Sequence, residues 1–164
     1  MKILFTRGQS LLSKAIRSAT KEPVSHCALQ FSFGELDLVI HSNLLGVQME
    51  LVETFLRTCE VVYAIENSEE SLKSKMLALL EIREHKLYDF GALLFVGMRL
   101  WLRAKLKIPL PKANLWQSSG MFMCTEWVSE FVNGEVDSMI TPYGLYLKLK
   151  ASQWGKTHGD ERRS

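Results

Sequence analysis

The alternating run of residues 24–33, closed by Gly34-Glu35 and answered by the run of residues 36–41, constrains the fold more than any other part of this 164-residue chain. A period of two puts His26, Ala28 and Gln30 on one side of an extended segment and Cys27, Leu29 and Phe31 on the other. A tight, glycine-containing reversal then lets the two runs pair as an antiparallel hairpin. Residues 2–6 read as a buried strand ahead of it. A short strand at about 46–49 and another over Cys59 to Glu66 follow. The expected class is α+β, an antiparallel sheet packed against helices.

Helical signals surround these strands. Ser10 is placed to cap a helix running to about Ser18, with Leu11, Leu12, Ala15 and Ile16 as one apolar face, and Lys21-Glu22-Pro23 breaks it. From Ser68 the period becomes helical again, with Glu69 and Glu70 in the first turn and Leu72, Met76, Leu79 and Leu80 setting the stripe. A further helix after Tyr88-Asp89 runs to about Leu106. Residues 90–98 are nearly all apolar, but Arg99 and Arg103 interrupt them before the roughly eighteen residues that a membrane span needs. The cationic, aromatic end of that helix makes residues 90–107 a candidate for peripheral contact with a membrane or an acyl substrate, and a solvated helix edge accounts for it equally well. The last clear helix opens at Cys124. There Trp127, Val128, Phe131 and Val132 recur at helical spacing, Glu126, Ser129 and Glu130 fall on other faces, and Asn133-Gly134 stops the segment.

The composition, 47% apolar and 23% charged, is that of an ordinary globular chain with enough length for one core. One domain over residues 1–153 is expected, with a charged, mobile tail over 154–164. A net charge of +2 without an aromatic-interleaved basic stripe gives no reason to expect nucleic acid as a partner. The three cysteines, Cys27, Cys59 and Cys124, include no close pair and no C-x-x-C, which supports neither a disulfide framework nor a zinc knuckle. A zinc site from His26, Cys27, His41 and Cys59 is disfavoured because residues 26 and 27 point to opposite faces of a strand. No metal and no cofactor is expected. The apolar run at the N-terminus is too short for a secretory signal, so a cytoplasmic protein is the simplest reading, and a phage-type or delivered protein would look the same.

Cys124 carries the chemistry. Only the thiolate is a strong nucleophile, and an ordinary thiol, with a pKa of about 8.5, is mostly protonated at neutral pH. The first turn of a helix supplies unpaired N–H groups and positive potential, and a nearby imidazolium adds more. Those N–H groups also suit an oxyanion. A lone cysteine of this kind is more often a small buried hydrophobe, and its order relative to His26 and His41 is what favours catalysis. Facing same-side positions on paired strands, with Cβ atoms about 5 Å apart, bring two imidazoles within hydrogen-bond reach.

The order of these elements resembles the circularly permuted branch of the NlpC-type papain-like superfamily, in which His precedes Cys; this branch includes YiiX-like proteins and the lecithin:retinol acyltransferase-like group. Ile3-Leu4-Phe5, the helix from Ser10, and Val24-Ser25-His26-Cys27-Ala28-Leu29 are similar to the family's opening strand, helix and "SHVGI"-like strand. Val39-Ile40-His41-Ser42 with Gly46-Val47 resembles the next strand, Leu87-Tyr88-Asp89-Phe90 the "YDF" segment, Met123-Cys124-Thr125-Glu126-Trp127-Val128 the nucleophile motif, and Thr141-Pro142 the closing segment. The likeness spans residues 2 to about 147, and its order and spacing are more specific than any single motif.

The resemblance implies a permuted papain-like fold with the nucleophile at the N-terminus of a late helix. It makes Cys124 the nucleophile, His26 the general base and later acid, and His41 the group that orients His26, at a position where YiiX-like members usually carry Glu. It implies a thiol hydrolase, first a peptidase or cell-wall amidase acting on peptide or peptidoglycan. A lipid thioesterase or acyltransferase acting on an acyl lipid is the alternative. A binding module that keeps the fold without catalysis is a rival of another class. A serine nucleophile is disfavoured, since no G-x-S-x-G elbow is present.

Overall fold

A computed structural model describes residues 1–43, 46–66, 87–88, 121–122, 124–133 and 140–159. The helices expected between Ser68 and Leu106, and with them the membrane-contact candidate at 90–107, lie outside the described residues. Within them the chain is α+β, with a five-stranded antiparallel sheet and four helices. The strands are β1 (Lys2–Gly8), β2 (His26–Phe33), β3 (Leu36–Asn43), β4 (Gly46–Leu51) and β5 (Cys59–Glu66), ordered β4-β3-β2-β1-β5 across the sheet. The helices are α1 (Leu11–Thr20), α2 (Val52–Thr58), α3 (Cys124–Asn133) and α4 (Pro142–Gly159). Two short strands, β6 (Leu87–Tyr88) and β7 (Met121–Phe122), pair in parallel.

The hairpin forms where the alternation places it. Phe33 pairs with Leu36 across Gly34-Glu35, and Gly34, with φ +64°, takes the left-handed position that a two-residue reversal of this hand requires. The two sides of the sheet then bury different clusters. Ile3, Phe5, Cys27, Leu29, Phe31 and Ile40 pack with Cys124, Trp127 and Val128 of α3 and with Leu145 and Leu149 of α4. Leu4, Ala28 and Val39 face Phe55 of α2 on the other side. Helix α4 docks through its tyrosines, with Tyr146 stacked on Tyr63 at 4.3 Å and meeting the edge of Phe5 at 5.4 Å.

Three local expectations change. Helix α1 is capped as read, Ser10 Oγ accepting from Ser13 N at 3.1 Å, but its apolar face is not its packed face. Leu11 is 84% exposed, and Ser13 is the one buried residue of the helix. Helix and strand meet through small groups instead. Ser13 Oγ and Ser25 Oγ share a hydrogen bond at 2.5 Å, and a Cβ on Gly8 would lie only 3.2 Å from Ser13 Oγ. In α3, the expectation that Glu126 and Ser129 fall on faces apart from the packed one fails, since both are 0% exposed along with Thr125 at 2%. The helix is enclosed on several sides. Finally, the backbone of α4 continues to Gly159, past the boundary at residue 153 where the tail was expected to start.

Removing the Phe5 ring is expected to cost about 3–5 kcal/mol, because the residue is fully buried and contacts elements on one entire side of the sheet. Leu11→Ala is expected to stay within about 0.5 kcal/mol, as exposed substitutions do. Urea unfolding midpoints of the two variants against the parent protein check both.

Candidate active site

The loop and strands around β2 set the position of His26. Ser25 N donates to Thr6 O at 2.9 Å, which extends the β1–β2 ladder one step beyond its Thr6↔His26 rung, while Ser13 holds the Ser25 side chain. His26 therefore enters the sheet at a tethered strand end. His41 lies on the same side of the sheet as His26, Ala28 and Val39, over α2. The rung after Leu29↔Ile40 brings His41 level with Ala28, so the two histidines are diagonal neighbours rather than the directly facing pair expected. Imidazoles span that diagonal.

His26 Nε2 lies 3.0 Å from His41 Nδ1, and the rings meet edge to face at 5.2 Å and 79°. Phe55 closes the far side, 5.1 Å from the His41 ring and 6.3 Å from that of His26. Burial under this cover, with the neighbouring His26 second, lowers the pKa of His41 from 6.5 to about 3. His41 is therefore neutral at neutral pH and carries one N–H. Its other nitrogen, Nε2, is 3.0 Å from Glu50 Oε1, at ion-pair distance but off the axis of a linear hydrogen bond.

Cys124 comes from the other side of the sheet, at the first position of α3, and is 5% exposed. Its pKa is well below the usual thiol range. A hydrogen bond from the Cys27 thiol contributes most, and the charge of His26 and a hydrogen bond with it add to this against the opposing effect of burial. The Cys27 thiol is pushed well up, first by burial and then by Cys124. The nucleophile candidate thus touches both residues 26 and 27, although they alternate along β2.

The structure brings Cys124, His26 and His41 into one contiguous arrangement. It adds two residues that the sequence reading left without a role there, Cys27 against the thiol and Glu50 against His41. Glu50 had a signal in the alternation of β4, which puts Gln48 and Glu50 on the side where Gln48 faces His41. Cys27 had none beyond adjacency. Beside the imidazoles lies a cleft of about 640 Å³, walled by Leu12, Ser13 and Ile16 of α1, by His26 and His41, and by Glu50 and Arg57. Cys124 is not part of that wall. Among the described residues no group of three His, Cys, Asp or Glu side chains is arranged to hold a metal ion, and no helix is long and apolar enough to cross a membrane.

No protein-family model matches the chain, and no curated protein matches it in sequence.

The lowered pKa of His41 has a direct effect on folding. Between pH 6.5 and about 3 the unfolded imidazole binds a proton that the folded one refuses. Stability therefore falls as pH drops through that window, by up to about 1.4 kcal/mol per unit from this group, and is unaffected by it above the window. His41→Gln is expected to flatten this part of the curve. Urea unfolding at intervals from pH 7 to pH 4 measures the difference in slope.

Proposed function

We propose that the chain is a thiol hydrolase of the permuted papain-like (NlpC-type) fold that cleaves an amide bond, as a peptidase or cell-wall amidase, through Cys124, His26 and His41. The observation that carries this reading is a thiol at a helix N-terminus whose pKa is lowered by the neighbouring Cys27 and His26, with His26 in turn 3.0 Å from a second, neutral imidazole. Three general requirements of nucleophilic cysteine chemistry meet in it: an activated sulfur, a base in contact, and a group that orients the base.

In the proposed reaction His26 takes the thiol proton and the Cys124 sulfur attacks the substrate carbonyl. The carbonyl electrons move to oxygen, where the backbone N–H of Cys124, in the first turn of α3, helps to stabilise the charge. His26 returns its proton to the leaving amine as the C–N bond breaks. An acyl-enzyme remains, and water activated by His26 releases the acid. A second reading, a thioesterase or acyltransferase on acyl lipid, draws on the Leu12 and Ile16 side chains that wall the cleft, since they give an acyl chain an apolar surface.

The pH dependence of Cys124 alkylation by iodoacetamide tests the activated thiol. The parent protein is expected to react through a thiolate well below pH 8, and His26→Ala to move the inflection upward by about one unit or more. An ordinary thiol profile in both overturns the reading and favours a binding module. Turnover of a peptidoglycan stem peptide against a fatty-acyl ester then separates the two substrate classes.

A further inference from the structure

We infer that Glu50 is a positioning residue of this site, which sets the tautomer of His41 and through it the tautomer of His26, leaving His26 Nδ1 free to take the Cys124 proton. The inference rests on the proposed role of Cys124 and His26 and goes beyond it by accounting for how a neutral imidazole performs the orienting task.

The geometry admits two proton arrangements for a neutral His41. With its proton on Nε2, His41 places an N–H beside Glu50 Oε1, off the axis of a linear bond but with N and O 3.0 Å apart, and its bare Nδ1 accepts the His26 Nε2–H, also at 3.0 Å. His26 then carries its proton on Nε2 and presents a lone pair at Nδ1. With the proton on Nδ1 instead, the Nε2 lone pair of His41 confronts a carboxylate oxygen at 3.0 Å, two acceptors in contact with no proton between them. The same choice makes His41 donate to His26 Nε2, which forces the His26 proton onto Nδ1 and removes the base. A carboxylate selects the first arrangement, since an ionised carboxylate only accepts. The off-axis approach of Glu50 does not alter this, because the repulsion between lone pair and carboxylate is electrostatic.

The carboxylate acts a second time when His26 becomes an imidazolium. His41 is held neutral by burial, so it offers the new cation a dipole and no charge. Glu50 supplies an anion beyond it on that side of the sheet. Among the described residues, other charged and titratable groups around the relay include Arg57 of α2, which lines the same cleft, Cys59 of β5, whose thiol Glu50 helps to push up, and Cys27 and Cys124 across the sheet. Arg7 is taken by Glu60 through two 2.8 Å contacts. The position of Glu50 follows from register. It lies on β4 opposite Val39, one same-side step from the Gln48↔His41 rung, a separation that a glutamate side chain covers.

Glu50→Gln tests this with little change of shape, because the amide can turn its NH₂ toward His41 Nε2 and stabilise the wrong tautomer. Long-range ¹H–¹⁵N spectra of the ring nitrogens at pH 7 are expected to show both His26 and His41 protonated on Nε2 in the parent protein. In Glu50→Gln, His26 is expected to carry its proton on Nδ1 in a substantial fraction of molecules. Cys124 alkylation at pH 6–7 is expected to slow about tenfold, the effect of a one-unit rise in the thiol pKa. Glu50→Asp, which keeps the charge, is expected to restore most of the rate. A circular dichroism spectrum and unfolding midpoint close to the parent's establish that both variants are folded. If Glu50→Gln is unfolded, the Glu50→Asp protein and the parent's own tautomers decide. Parent His26 protonated on Nδ1 alone, or parent-like tautomers and alkylation in Glu50→Gln, overturns the role of Glu50. An ordinary thiol profile in the parent protein instead overturns the nucleophile, and the tautomer spectra still report on Glu50 separately.

Discussion

Strand β2 is buried on both sides, and the rest of the structure depends on that. Cys27, Leu29 and Phe31 face α3 and α4, while Ala28 faces Phe55, and all of them are fully buried. A strand enclosed this way cannot slip by one residue, since a slip would exchange its two sets of neighbours. Fixing β2 fixes β1 and β3 by pairing, and β3 fixes β4. The diagonal from His26 to His41 and the step from His41 to Glu50 are therefore consequences of packing far from the imidazoles. At the strand end His26 neighbours both His41 and Cys124.

The enclosure also sets the electrostatics. Phe55 is the one buried residue of α2, and its ring covers both imidazoles. A short helix with one aromatic anchor is thus what removes water from His41 and keeps it neutral. On the opposite side, burial alone would push the Cys124 thiol up. A hydrogen bond from Cys27 and the proximity of His26 reverse the sign. The two sides of the sheet use low polarity in opposite ways, one to suppress a charge and the other to strengthen the contacts that favour one.

Much of this sheet was legible in the sequence because its strands alternate or run apolar between clear breaks. The hairpin, the Ser10 cap and the opening of α3 at Cys124 all carry local signals. Helix α2 does not. It has seven residues, no polar side chain at its N-cap and one buried contact, too little to establish a 3.6-residue period. The packing of α1 was misread because its leucines are its most apolar residues, whereas the contact is made by Gly8, Ser13 and Ser25, whose small size permits close approach. His26, His41 and Cys124 became candidates through their order in the chain. Glu50 and Cys27 did not, since each lies beside a candidate residue that only the folded sheet brings near.

In the proposed reading, the difference between this chain and the YiiX-like proteins it resembles, which usually carry a carboxylate at the position of His41, is a matter of distance rather than of chemistry. A carboxylate in contact with His26 would orient it and offset its charge in one step. In the proposed mechanism the two tasks are divided: His41, 3.0 Å from His26, orients it, and Glu50, 3.0 Å from the other nitrogen of His41, supplies the charge. Coulomb attraction falls with distance, and in a medium of intermediate polarity a doubling of separation at least halves it. The proposed imidazolium is therefore held less firmly than one in direct contact with a carboxylate. The hydrogen bond from Cys27 compensates on the other partner, by stabilising the thiolate itself. In the proposed mechanism the ion pair is supported from both ends by residues one step removed from the reacting atoms.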